Sequence, residues 1–218
     1  METQNSTFEF LESESAARYF ADMDFAFKQG RHIQNSGSDA RLWDFVNDNY
    51  EALYRYYEYL FGVFLRKESN ERDTYFYLDL PEYGSGKFNK ERHKDLDAKH
   101  VVFAILMLNI YKERFFEKKE VKWEDLEQFI DDGENKELWQ KLLYGEAKRN
   151  YTPNEREEMR HKVERIISDL EKLGWVEWLD KENFVFEILP SIDRIARLYS
   201  DEITNVELMS EYINEQLS

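Results

Sequence analysis

The 218-residue chain has no cysteine, three prolines and eight glycines. Without cysteine there is no disulfide framework, thiolate-held zinc, iron–sulfur cluster or cysteine nucleophile, and the chain suits a reducing compartment. Scarce glycine and proline give little turn chemistry for an all-β fold, which predicts a mainly α (α+β) protein with small β hairpins. Long apolar runs are missing too. The longest, Val101 to Ile110, is interrupted by Asn109 and is far short of the roughly 20 residues a bilayer requires. Met1 to Ala17 contains Glu2, Glu9, Glu12 and Glu14 and no base before Arg18, the reverse of a secretory leader's positive start. These absences predict a soluble, cytoplasmic protein that makes no membrane contact.

What the chain does have is charge and aromatic area. Charged residues make up 35%, against a usual figure of about 25%. With 46 Asp and Glu against 30 Lys and Arg, the net charge is −16. That balance opposes indiscriminate nucleic-acid binding, because attraction to phosphate needs a local basic surface. The length suits one or two domains, and 42% hydrophobic residues suffice for a packed core.

Periodicity places a first helix from Ser13 to Lys28, stopped by Gly30, then a loop from Arg31 to Ser38. Asp39 is positioned to cap one long helix with Leu42, Trp43, Val46, Tyr50, Leu53, Tyr57 and Leu60 on a stripe, ended at Gly62. Val63 to Arg66 and Tyr75 to Leu80 read as a hairpin. After the charged stretch Glu82 to Lys99, the apolar pattern resumes with a core helix from His100 to Phe116, a strand at Val121 to Trp123, and two short helices broken at Gly133. Thr152, Pro153 and Glu155 then form a helix-start signal. The helix they open stops at Gly174, and Trp175 to Leu179 with Phe184 to Leu189 make a second hairpin.

The chain thus repeats itself. Leu60 to Pro81 and Lys172 to Pro190 share the order helix end, Gly, strand, charged turn, strand, Pro. Helices followed by a hairpin, twice, is the layout of tandem winged-helix domains. The expected division is residues 1–81, a connecting segment 82–99, residues 100–199 and an acidic helix or tail 200–218.

No catalytic residue, metal site or cofactor is assigned. His32, His93, His100 and His161 lack metal-ligand spacing, and Gly84-Ser85-Gly86-Lys87 departs from a phosphate loop in both spacing and the residue after Lys87. Binding chemistry is better represented. A winged helix often presents its last helix to the major groove. In the first half that helix has Arg41 and Arg55 against Asp39, Asp44, Asp48, Glu51 and Glu58, which opposes groove insertion. In the second half, Lys148, Arg149, Arg156, Arg160, Lys162, Arg165 and Lys172 face six acids between 148 and 172, so the helix is either a DNA-contacting face or a salt-bridged one. Tyr50, Tyr54, Tyr56, Tyr57 and Tyr59 are too crowded for one buried stripe, so some belong at an interface or at the wet edge of the core. Residues 201–218 combine five acids and no base with Ile203, Val206, Met209, Ile213 and Leu217 at helical spacing, a segment able to dock on a partner or fold back on its own domain.

Several segments together resemble the MukE/MksE subunits of bacterial condensins. They are Gly30-Arg31-His32-Ile33, the helix from Leu42-Trp43-Asp44-Phe45 to Leu53-Tyr54-Arg55-Tyr56-Tyr57, and Tyr75-Phe76-Tyr77-Leu78. In the second half they are Lys162-Val163 through Leu170-Glu171-Lys172-Leu173-Gly174, Phe186-Glu187-Ile188 and Ile192-Asp193-Arg194-Ile195-Ala196-Arg197, so the resemblance covers Phe20 to Tyr199. It implies a non-enzymatic accessory subunit that pairs with itself as a homodimer, binds a kleisin, and through it an SMC ATPase that loads onto double-stranded DNA in the nucleoid. The seven bases from Lys148 to Lys172 would touch DNA. Arg31, His32, Trp43, Tyr50, Tyr54 and Tyr57 would support kleisin or dimer contacts. Glu164, Asp169 and Glu171 dilute the charge relative to more basic members of the family. The role implied is chromosome organisation and segregation, or plasmid restriction. Two other readings stay open: a free-standing winged-helix transcription regulator, and an enzyme with an unrecognised carboxylate site.

Overall fold

The computed structural model describes residues 8–69, 73–79, 96–113, 120–133, 136–148 and 150–199. The chain divides into two units, Met1–Asp95 and Leu96–Ser218. Both are helical with one small antiparallel sheet each. Most of the expected connection 82–99, and all of 200–218, lie outside the described residues.

In the first unit, Ser13 caps α1 (Glu14–Lys28), its hydroxyl accepting from the Ala16 amide at 3.1 Å. The helix buries Ala16, Met23 and Phe27. The expected loop after it contains a short strand, β1 (Ile33–Gln34), buried along its length. The single long helix expected next is two helices, α2 (Ala40–Asp48) and α3 (Tyr50–Phe61). They break at Asn49, whose Nδ2 donates to the Phe45 carbonyl at 2.9 Å and so competes with continued helix. Nor does Asp39 cap α2. Its carboxylate accepts from Arg31 Nε at 2.9 Å instead. Gly62 stops α3 in the left-handed region (φ 69°), and β2 (Phe64–Ser69) with β3 (Thr74–Asp79) form the hairpin, paired from Phe64↔Asp79 to Ser69↔Thr74. β1 pairs with the other edge of β3, giving the order β1-β3-β2 over a core that includes Met23, Phe27, Ile33, Leu53, Tyr57 and Phe76.

The second unit is built around α4 (Ala98–Glu113), in which every side chain from Val101 to Leu108 is buried. A helix apolar on all sides belongs inside a core, and α4 takes that place. β4 (Glu120–Lys122) leads into α5 (Trp123–Asp132), α6 (Lys136–Tyr144) and α7 (Pro153–Lys172). The last buries Met159, Val163, Ile166, Ile167 and Leu170 along one stripe. β5 (Val176–Asp180) and β6 (Val185–Ile188) form the hairpin, and β4 joins β6 in the order β4-β6-β5. A single 3-10 turn (Pro190–Asp193) and α8 (Arg194–Leu198) close the unit. The internal repeat is therefore longer than the hairpin alone. Each unit runs helix, short strand, helices, hairpin, and in each the short strand pairs with the last. No described helix is long and apolar enough to cross a membrane.

The start of α7 is a reciprocal capping box. Thr152 Oγ1 accepts from the Glu155 amide at 3.3 Å, and Glu155 Oε2 accepts from the Thr152 amide at 2.8 Å. The Lys148 ammonium and these Thr152 bonds hold the Glu155 carboxyl at about 2, below its usual 4.5. A carboxyl lowered in this way stabilises the folded end fully above its unfolded value, and the contribution is lost as pH falls through the folded one. The first turn of α7 is therefore expected to open between about pH 4.5 and pH 2. A fall in the protection factors of the amides of residues 155 and 156 on acidification, taken against their intrinsic exchange rates at each pH, would show this, and Glu155→Gln should abolish that fall.

Candidate functional site

The six residues assigned to partner contact in the first unit all lie in a band around β1, β3 and the two middle helices. Arg31 spends its guanidinium on the buried Asp39 carboxylate, which burial pushes up despite that pairing. His32 is 5% exposed and sits against the rings of Tyr75 and Tyr77, with centroids 6.1 and 5.1 Å away. Trp43 Nε1 donates to the Thr74 carbonyl at 2.7 Å, and the Tyr50 hydroxyl to the Leu65 carbonyl at 3.1 Å, so both rings tie helix to sheet with part of their surface in solvent. Tyr54, half-buried, packs between Tyr50 and Phe64. Tyr57 is fully buried and donates to Asp24 Oδ1 at 3.0 Å, with burial and that carboxylate raising its pKa. The geometry thus presents parts of Trp43, Tyr50 and Tyr54 and withholds Tyr57 and His32 from the surface of the unit. Two aromatics outside that set are far more open: Phe25 on α1 at 65% exposure and Tyr59 on α3 at 77%.

The basic residues of the second unit separate into two groups. Lys148 lies 2.8 Å from both Glu146 and Glu155, which raise its pKa. Arg156 pairs with Asp131 at 2.9 Å and Glu127 at 3.6 Å. Lys172 holds Asp169 at 2.7 Å. Arg160 lies over the rings of Trp123 and Phe184 at 5.7 and 5.6 Å, which hold its guanidinium in place. Arg149 lies outside the described residues. The second group is Lys162 and Arg165. Both are exposed, and their described hydrogen bonds go to backbone carbonyls, of Leu143 at 3.2 Å and His161 at 3.2 Å.

Lys162 and Arg165 stand on one rim of a cleft of about 510 Å³, with Lys99 on the first turn of α4 also lining it. Its apolar lining comes from Leu143, Tyr144 and Ile166. None of the three cations has a carboxylate within ion-pair distance among the described residues. His100 bridges the neighbouring carboxylates, with Nδ1 2.6 Å from Asp97 and Nε2 3.2 Å from Asp169. The Lys172 ammonium, with His100, holds Asp169 below its usual range, so the one acid among the described lining residues is already engaged. Tyr144 stacks on Tyr151 with centroids 3.6 Å apart, and burial pushes its hydroxyl up to about 12. The cleft suits an anion that carries apolar surface. Lys99 had no signal in the sequence, since only the packing of α4 beside α7 brings it here.

Among the described residues no group of three or more His, Asp or Glu converges as a metal site. The fold is that of a two-unit helical protein, with exposed aromatic side chains in one unit and a cleft lined by three cations in the other. The family model for condensin complex protein MksE matches residues 18–199, and the chain belongs to that family. No curated protein matches it. The match spans both units and both hairpins, the same elements that carry the internal repeat.

Proposed function

We propose that the protein is a non-enzymatic accessory subunit of a bacterial SMC–kleisin complex, with two winged-helix domains, one per unit. The observation that carries this reading is the family match across 18–199, supported by the twice-repeated order of helix, strand, helices and hairpin. The first unit binds the kleisin or a second copy of the chain through its most open aromatics, Phe25 and Tyr59, or through the exposed parts of Trp43, Tyr50 and Tyr54, with Arg31, His32 and Tyr57 bracing the fold beneath. The second unit touches double-stranded DNA within the assembled complex. It does so through Lys162 and Arg165, joined by Lys99, because Lys148, Arg156 and Lys172 are paired with carboxylates and Arg160 is held against two rings. The SMC ATPase is reached through the kleisin, and the complex works in the nucleoid, in the cytoplasm, organising and segregating chromosomal DNA.

Affinity purification of a tagged copy from the native host under nuclease treatment, followed by mass spectrometry, tests the reading. Recovery of a coiled-coil ATPase and a kleisin at fixed ratio is the expected result. Recovery of this chain alone, with tight sequence-specific duplex binding, would overturn it in favour of a regulator.

A further inference from the structure

The cleft of the second unit has more to offer than contact with a duplex requires. A duplex presents phosphates at its surface, and Lys99, Lys162 and Arg165 answer to those alone. The apolar lining is a different matter. Leu143 and Ile166 are 3% and 7% exposed, and the half-buried Tyr144 lines the cleft with them, Tyr151 stacked on its ring at 3.6 Å. A phosphate backbone has no use for that lining. At about 510 Å³ the cleft also falls within the range of about 300–1,000 Å³ usual for sites that enclose a small molecule.

Three elements build it. α7 supplies Lys162, Arg165, Ile166 and Asp169, whose three- and four-residue spacing puts them on one face, while the first turn of α4 supplies Lys99 and the end of α6 supplies Leu143 and Tyr144. The Asp97 carboxylate accepts from the His100 amide at 3.0 Å, so the start of α4 is already capped and any attraction for an anion comes from side chains. Lys162 and Arg165 rest on backbone carbonyls at 3.2 Å. A phosphate oxygen would replace those neutral contacts with stronger, charge-assisted ones.

We propose that this cleft binds a nucleoside triphosphate, with its phosphates on Lys99, Lys162 and Arg165 and its base against Leu143, Tyr144 and Ile166. Three cations without a carboxylate partner among the described residues call for several negative charges on one ligand, and the apolar lining calls for a hydrophobic body joined to them. A fatty or aromatic carboxylate meets the second demand and not the first. Inorganic polyphosphate meets the first and not the second. The assignment stands on the cleft alone; that such a ligand and duplex DNA exclude one another rests on the proposed DNA-binding role of the same three cations.

Titration calorimetry of the full-length chain tests this, with adenosine triphosphate, inorganic triphosphate and adenosine as probes. Adenosine triphosphate is expected to bind saturably, and each of the other two at least about ten-fold more weakly, because one uses only the charges and the other only the apolar lining. Lys162→Glu with Arg165→Glu should weaken adenosine triphosphate by at least about ten-fold. Arg41→Glu with Arg55→Glu, the same change of charge on exposed side chains of the first unit, should leave it within about two-fold. Amide shifts on binding, which also report that each variant is folded, should centre on Lys99, Gly145 and Ile166. Inorganic triphosphate binding as tightly as adenosine triphosphate would overturn the assignment by leaving the apolar lining unused. Equal losses in the two double variants would overturn it by making net charge the cause. Absence of adenosine triphosphate binding, while Lys162→Glu with Arg165→Glu still lowers duplex affinity, would overturn it and leave the cleft to DNA. Saturable binding that a random duplex does not displace would uphold the nucleotide site and overturn the exclusion.

Discussion

Changing Lys162 and Arg165 together to Glu lowers affinity for a random DNA duplex by about a hundred-fold at low salt, and flattens the dependence on salt by about one unit of slope for each phosphate no longer neutralised. The magnitude comes from where these charges stand. Each is exposed with no carboxylate partner among the described residues, so no ion pair must be broken before it meets a phosphate. Lys148 and Arg156 each face two acids, and Lys172 and Asp169 neutralise one another. Lys148→Ala and Arg156→Ala should therefore shift duplex affinity less than about two-fold, although Arg156→Ala strands Asp131. Fluorescence anisotropy across a salt series separates these outcomes. Equal losses for the paired and unpaired bases would show that total charge, and not the cleft, draws DNA.

Tyr57→Ala is expected to cost about 3–5 kcal/mol of stability, the range for removing a large aromatic from a core. Its side chain is fully buried among the rings of Phe27, Tyr56 and Phe61. Tyr57→Phe should cost only about 1 kcal/mol, since Asp24 keeps Lys28 at 2.6 Å when the phenol is removed. Phe25→Ala and Tyr59→Ala, by contrast, remove surface side chains and should leave stability within about 0.5 kcal/mol. These last two are the substitutions expected to release the kleisin or the second copy. Thermal unfolding beside partner capture checks the division: capture abolished at unchanged melting temperature marks an interface residue, and capture abolished only with melting marks the core.

Legibility from sequence followed the range of the forces involved. The cap at Thr152, the start of the first helix near Ser13, the breaks at Gly62, Gly133 and Gly174 and both hairpins rest on neighbours a few residues apart, and all were readable. The break at Asn49 was not. The apolar stripe runs on from Val46 to Tyr50 and Leu53, and only the turn of the Asn49 amide back to Phe45 interrupts it. Asp39 looked like a cap because its local pattern is that of one, yet Arg31, eight positions away, takes its carboxylate. Strand β1, of two residues, is too short to express a period and reads as loop, whereas β4, of three, reads one residue late, at Val121 to Trp123. For the proposed DNA-binding surface, residue type pointed to α7, but which of its bases lack a carboxylate partner depends on acids brought close by the fold.

The two sheets share an order and differ at their outer edges. In the first unit the outer strand is β2, where Arg66 and Lys67 stand exposed and Asp79 holds Arg66 at 3.0 Å. In the second it is β5, whose ladder slips between Trp178 and Asp180 so that Leu179 has no partner on β6. Both devices discourage another strand from adding itself to an open row of amides and carbonyls, one by planting charge along it and the other by twisting it out of line. A short sheet edge, repeated twice in one chain, is otherwise an invitation to endless strand exchange between copies. Guarding the hairpin edge of each sheet closes that route there and leaves association to side-chain surfaces, which can close on a fixed number of subunits instead of growing into fibres.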